Sequence, residues 1–171
     1  SWCFCAETPS PTPAPGPPSD HPLNGSTYLL YNTYAGAAND KYVSFAFSDA
    51  PSEEPAGTTG CNWLRVTYTD QNDAMPVLFV AVEGKKDVYV LFNDWGDSDY
   101  QRYLKADPAK GFVSSCASDV ADAVEIKVVP TSGDRANNDE EESTASTTYV
   151  FIDEKSGKYV SYQNDGFWIR N

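Results

Sequence analysis

An all-β fold, a β-trefoil of three pseudo-repeats behind an extended Pro-rich N-terminal arm, is what this sequence predicts, and three observations predict it. The first is repetition. Thr27-Tyr28-Leu29-Leu30-Tyr31-Asn32, Val88-Tyr89-Val90-Leu91-Phe92-Asn93 and Thr148-Tyr149-Val150-Phe151-Ile152-Asp153 read alike, their leading tyrosines 61 and 60 residues apart. Each block is followed by a second short run, Lys41-Tyr42-Val43-Ser44, Arg102-Tyr103-Leu104-Lys105 or Lys158-Tyr159-Val160-Ser161, so the repeating unit contains a strand pair. The second is composition. With 11 Tyr and 8 Phe against 1 Met, the apolar content suits pleated, half-buried surfaces better than helices. The third is punctuation, since short apolar runs recur between Gly, Asn, Asp and Pro without a helical period.

Taken in order, residues 1–25 form the arm and residues 26–171 the trefoil domain. In the arm, Trp2 and Phe4 alternate with Cys3 and Cys5, so an extended backbone puts both rings on one face and makes them candidates for assembly. Thr8 to Pro22 hold seven of the twelve prolines, the composition of polyproline II, which has no internal hydrogen bonds and builds no core. Asn24-Gly25-Ser26 is a glycosylation sequon where arm meets body. Strands are expected at 27–32, 41–47, 62–69, 77–83, 87–93, 101–105, 111–114, 123–129, 148–153, 158–162 and 166–170. Glu83 to Asp87, Glu154 to Gly157 and Asn164-Asp165-Gly166 carry hairpin-turn chemistry, and residues 48–60 and 130–147 read as long polar loops. Tyr28, Leu30, Tyr89, Leu91, Tyr149 and Phe151 fall on alternate positions and are expected to face a common core.

The formal net charge is −13 and the pI is near 4.2. A surface of that sign repels phosphate backbones and anionic lipid, so neither nucleic acid nor membrane is an expected partner. No apolar run is long enough to span a bilayer as a helix. Four cysteines, the Ser-Trp-Cys start and the Pro/Thr/Ser-rich leader suggest a secreted, extracellular protein with oxidised cysteines. Four cysteines allow three connectivities. Cys3 and Cys5 are too close to bridge comfortably, which favours pairing Cys61 with Cys116 and leaves Cys3 and Cys5 joined under strain or linked elsewhere.

The order of features resembles the Kunitz-type family of soybean trypsin inhibitors over about residues 20 to 171. His21-Pro22-Leu23-Asn24-Gly25-Ser26-Thr27-Tyr28 resembles that family's opening, Thr59-Gly60-Cys61-Asn62-Trp63-Leu64 its first-cysteine strand, and Cys116-Ala117-Ser118 its second-cysteine segment. Ile152 through Trp168 is similar to its closing hairpin and last strand. The resemblance implies a Cys61–Cys116 disulfide and a protease-inhibitory loop before the strand near Val77. No Lys or Arg lies between Arg65 and Lys85. The implied reactive loop, Ala74, Met75, Pro76, Val77 and Leu78, is therefore non-basic, and trypsin is not its expected target.

Catalysis is not expected. The one histidine, His21, stands beside Pro22 in the arm, away from any nucleophile that it would have to activate. No metal or cofactor is expected either, since Cys-x-Cys with a single histidine is not a tetrahedral zinc set. Two further binding readings stand beside inhibition. Asp94, Trp95 and Asp97 near a turn supply the ring and carboxylates of a carbohydrate site. An arm carrying Trp2, Phe4 and two spare cysteines suits an extracellular structural or filament-forming subunit. The expected partner is accordingly an extracellular protein such as a protease, a copy of the same chain, or a glycan.

Overall fold

The computed structural model describes residues 2–6, 20–33, 41–45, 62–109, 111–131, 148–163 and 166–170. These build β1 (Trp2–Ala6), β2 (Thr27–Asn32), β3 (Lys41–Phe45), β4 (Asn62–Tyr68), β5 (Pro76–Ala81), β6 (Val88–Asn93), β7 (Tyr103–Ala106), β8 (Val113–Ala117), β9 (Ile126–Pro130), β10 (Thr148–Asp153), β11 (Tyr159–Gln163) and β12 (Gly166–Arg170). Every pairing is antiparallel. Among the described residues the only helical pieces are three 3-10 turns at Gln71–Asp73, Ser98–Tyr100 and Val120–Asp122.

The all-β expectation stands, but the β-trefoil expected of residues 26–171 does not form. The molecule is a closed antiparallel β-barrel, whose pairings run through ten strands, β1, β10, β11, β12, β4, β8, β7, β6, β5 and β2, and back to β1. β3 lies off this circuit between β2 and β4, and β9 between β6 and β10. Among the described residues the first two sequence repeats each contribute four strands, β2 to β5 and β6 to β9, and the third contributes three, β10 to β12. This circuit passes through β1, which belongs to no repeat and lies between β2 of the first repeat and β10 of the third. An unpaired strand edge is a template for another strand, and among the described residues β1 is what covers the edges of β2 over Tyr28–Asn32 and of β10 over Thr148–Tyr149.

Several boundaries also move. The strand expected at 111–114 runs Val113–Ala117 because Gly111, at φ +83°, turns the chain into it. The strand expected at 123–129 begins at Ile126, because residues 119–123 are taken up by an Asp-capped turn.

Alternation places the core. Leu30, Leu91 and Phe151 are fully buried at corresponding points of the three repeats, and Tyr89 is buried with its hydroxyl accepting a hydrogen bond from Leu23 N at 3.1 Å. Tyr28 and Tyr149, expected beside them, are only partly buried and pack against the same cluster. β4 shows strict period two, with Asn62, Leu64 and Val66 inward and Trp63 and Arg65 less buried, as expected of a strand with one face to the core.

Candidate functional site

The two four-strand repeats share a device. Asp70-Gln71-Asn72-Asp73-Ala74-Met75 and Asp119-Val120-Ala121-Asp122-Ala123-Val124 have the same pattern, aspartates three apart followed by Ala and an apolar residue. In each, the first Asp caps a 3-10 turn by accepting from the backbone N–H two residues on, at 2.9 Å from Asn72 N and 2.9 Å from Ala121 N, a local bond that short acidic side chains make readily. The turn then delivers the apolar residue to a carbonyl of the repeat's second strand. Met75 N donates to Val43 O at 3.0 Å, and Val124 N donates to Leu104 O at 2.9 Å.

The third carbonyl in this series, Val160 O, belongs to Lys158-Tyr159-Val160-Ser161. It accepts instead from the indole of Trp2, Nε1 to O 3.3 Å. Trp2 thus fills the place that Met75 and Val124 fill elsewhere, and it arrives from the first strand. Its ring stacks on Phe151 at 5.8 Å between centroids and tilts against Phe167 at 4.8 Å. It is 1% exposed. Burying an aromatic side chain of this size removes on the order of 150–250 Å² from water, a contribution of roughly 4–6 kcal/mol at about 25 cal/mol per Å². Behind Trp2, β1 pairs with β2 over five residues, Trp2 opposite Asn32 through Ala6 opposite Tyr28. Its other edge meets β10, Trp2 opposite Tyr149 and Cys3 opposite Thr148. β1 therefore stands between β10 and β2 as β5 stands between β2 and β6, and as β9 stands between β6 and β10.

This slot is the candidate functional site. Its floor is Phe151, Phe167 and the Val160 carbonyl, and its walls are the backbone edges of β2 and β10. Its occupant is tied to the body by residues 7–19, which include six prolines. At the far end of that segment the chain is anchored again. Asp20 O accepts from Asp87 N at 3.0 Å, His21 Nε2 lies 2.8 Å from Lys85 O, and the imidazole meets Tyr89 edge-on. His21 thus joins the segment before β2 to the turn between β5 and β6.

The other residues singled out by sequence are distributed as follows. Ala74, Met75 and Val77 are 3%, 0% and 0% exposed, Pro76 is buried and Leu78 half-buried. The stretch expected as a reactive loop thus lies in a core plug and the start of β5, with the Asp70 turn directing Met75 inward. Asp94 and Asp97 are exposed in the turn after β6, where Asp97 Oδ1 accepts from Asp99 N at 3.0 Å. Trp95 is half-buried with its ring edge-on to Phe45 at 5.3 Å, its carbonyl accepting from Gln101 Nε2 at 2.7 Å. Asn24 is exposed, and its Oδ1 accepts from Ala81 N at 2.8 Å, which leaves the amide nitrogen, the atom that carries sugar, pointing away from that bond. Cys116 is disulfide-bonded and Cys3 is buried beside Trp2. Cys61, and the side chains of Cys5 and Phe4, lie outside the described residues.

Two concavities lie among the described residues. A groove of about 890 Å³ is lined by the 106–111 and 153–158 turns and by residues 121–125. It mixes Lys155 and Lys158 with Asp107, Asp122 and Glu154, includes the exposed Lys85–Glu125 ion pair at 2.8 Å, and carries no aromatic ring on which a sugar could stack. A hollow of about 40 Å³ lies among Trp63, Phe112 and Trp168, whose rings pack on one another at 5.2 and 5.8 Å. Among the described residues no cluster of three His, Cys, Asp or Glu is disposed to hold a metal.

Trp2 was named from sequence as an assembly residue, but its place in the barrel was not. The signal was in the strand count: eleven runs in three repeats leave one repeat a strand short, and Trp2-Cys3-Phe4-Cys5-Ala6 is the unassigned apolar run. Comparison with protein-family models, with curated proteins and with solved structures finds no match for this chain.

Proposed function

We propose that this protein is a secreted, non-catalytic structural subunit whose contacts with other chains run through its first strand. The observation that carries the reading is the origin of that strand. A barrel whose last stave comes from beyond a Pro-rich tether holds that stave by side-chain and edge contacts, with no short turn to fix it to its neighbours. Elements held in this way are the ones that proteins use to couple to one another by strand addition. The acidic surface and the sequon at exposed Asn24 suit an extracellular component kept soluble until it assembles. The burial of Ala74, Met75, Pro76 and Val77 favours this reading over inhibition through residues 74–78.

The test is the size of the full-length secreted chain, followed by light scattering and negative-stain imaging over a wide concentration range, with and without reductant. Assemblies larger than one chain are expected. A strictly monomeric profile at every concentration, under both redox conditions, overturns the reading.

A further inference from the structure

We infer that the slot between β2 and β10 accepts the first strand of a second copy of this chain, so that subunits are joined by strand exchange. The inference rests on the structural-subunit reading and adds the identity of the partner, the donor segment and its register.

Three features carry it. The first is that the donor is self-contained. Pairing with β2 and β10, the Trp2 stack on Phe151 and Phe167, and the indole bond to Val160 O involve residues 2–6 on one side and the barrel on the other. The same contacts form whichever copy supplies the strand, so exchange neither gains nor loses them and is decided by reach and concentration.

Reach is the second feature. Residues 7–19 number thirteen, six of them proline. A chain of thirteen residues bridges at most about 45 Å, which exceeds the roughly 40 Å diameter of a compact domain of this length. A strand on such a tether reaches a neighbouring barrel, whereas the hairpin turns that join β5 to β6 or β10 to β11 hold their strands to one molecule.

The third is the cost of an empty slot. Without β1, the edges of β2 and β10 are unpaired over the register Tyr28–Asn32 and Thr148–Tyr149, and Phe151 and Phe167 lose their cover. An open apolar sheet edge is a template for another strand, and the strand that fits is the one with Trp at the plug position. Serial donation from copy to copy gives an open chain, and reciprocal donation gives a closed dimer.

The experiment keeps the barrel folded throughout. A protease site is placed within residues 7–19 of the full chain, the chain is cut after folding, and a fluorescent synthetic peptide of residues 1–7 is added in excess, beside a Trp2→Ala peptide. Uptake of the native peptide is expected, with the Trp2→Ala peptide retained at least about tenfold less, as for loss of a buried aromatic anchor. In parallel, uncut full-length chains carrying Trp2→Ala are expected to assemble at least about tenfold less than the native chain at equal concentration. No uptake, or assemblies that tolerate Trp2→Ala, overturns strand exchange and leaves the structural-subunit reading intact. Uptake by a chain that stays monomeric at every concentration overturns the subunit reading, and exchange between copies with it.

Discussion

Asn32, Asn93 and Asp153 end the three repeated strands at 3%, 0% and 7% exposure, polar residues at positions where burial carries a cost unless every bond is made. Asn93 shows how that cost is met. Its Nδ2 donates to Tyr100 O at 3.0 Å and to Ser115 Oγ at 3.1 Å, while its Oδ1 accepts from Trp95 N at 3.1 Å. One side chain thus ties the end of β6 to the turn that follows and to β8. Asp153 does the equivalent work in the third repeat, accepting from Ser156 N at 3.0 Å and Ser156 Oγ at 2.6 Å. Asn93→Ala leaves the Trp95 amide and the Tyr100 carbonyl without this partner and should destabilise the fold by about 2–4 kcal/mol, read as a lower denaturant midpoint at unchanged slope. A change below about 0.5 kcal/mol would show that solvent replaces these bonds and that the network is dispensable.

At the scale of elements, the turns decide where strands begin. The 107–112 turn is the tightest: Gly111 N donates to Asp107 O at 2.9 Å, Ile169 N donates to Gly111 O at 2.7 Å, and φ at Gly111 is +83°. A Cβ there would lie 2.7 Å from the Ile169 carbonyl oxygen, and the neighbour it meets is backbone, which cannot swing aside. Gly111→Ala should therefore separate β8 from β12 and cost about 2–3 kcal/mol, combining left-handed strain with the clash. Gly84→Ala, at φ +80° with open space around its Cβ direction, carries the strain alone and should cost about 1 kcal/mol. Thermal melts of the pair check this, and equal losses would remove the steric part of the explanation. The same reasoning explains the burial of residues 74–77: the Asp70 cap and the Met75 N to Val43 O bond turn that segment toward the interior.

At the scale of the whole molecule, closure of the barrel buries phenols whose ionisation then opposes the fold. Burial pushes Tyr68, Tyr89 and Tyr149 above the ordinary tyrosine value; for Tyr68 the nearby Arg65 works against it, and for Tyr89 the hydrogen bond from Leu23 N does. Folded values above the unfolded one mean that stability is unaffected below about pH 10, the unfolded value, and is lost as pH rises through the folded values. Thermal midpoints should accordingly stay flat on the alkaline side to about pH 10 and fall beyond it, with phenolate absorbance appearing in two waves, the later one coincident with unfolding. A single wave completed before the midpoint moves would contradict this.

Repetition, the strand-forming composition and the inward places of Leu30, Leu91 and Phe151 were legible in the sequence because they rest on local periods, two along a strand and about sixty between repeats. The sequon at an exposed turn was legible for the same reason. Position in the barrel was not. Met75 looks like a loop residue beside Pro76 until the Asp70 turn is seen to aim it at Val43, and Trp2 looks like part of an arm until Val160 is seen to lack the donor that its two counterparts have. By itself the sequence determined that this chain is a β protein of three similar segments behind a Pro-rich stretch. Only the tertiary structure decided which segment completes the barrel, because edge pairing and the fit of an indole between Phe151 and Phe167 join residues some 150 positions apart, a relation that no local pattern encodes.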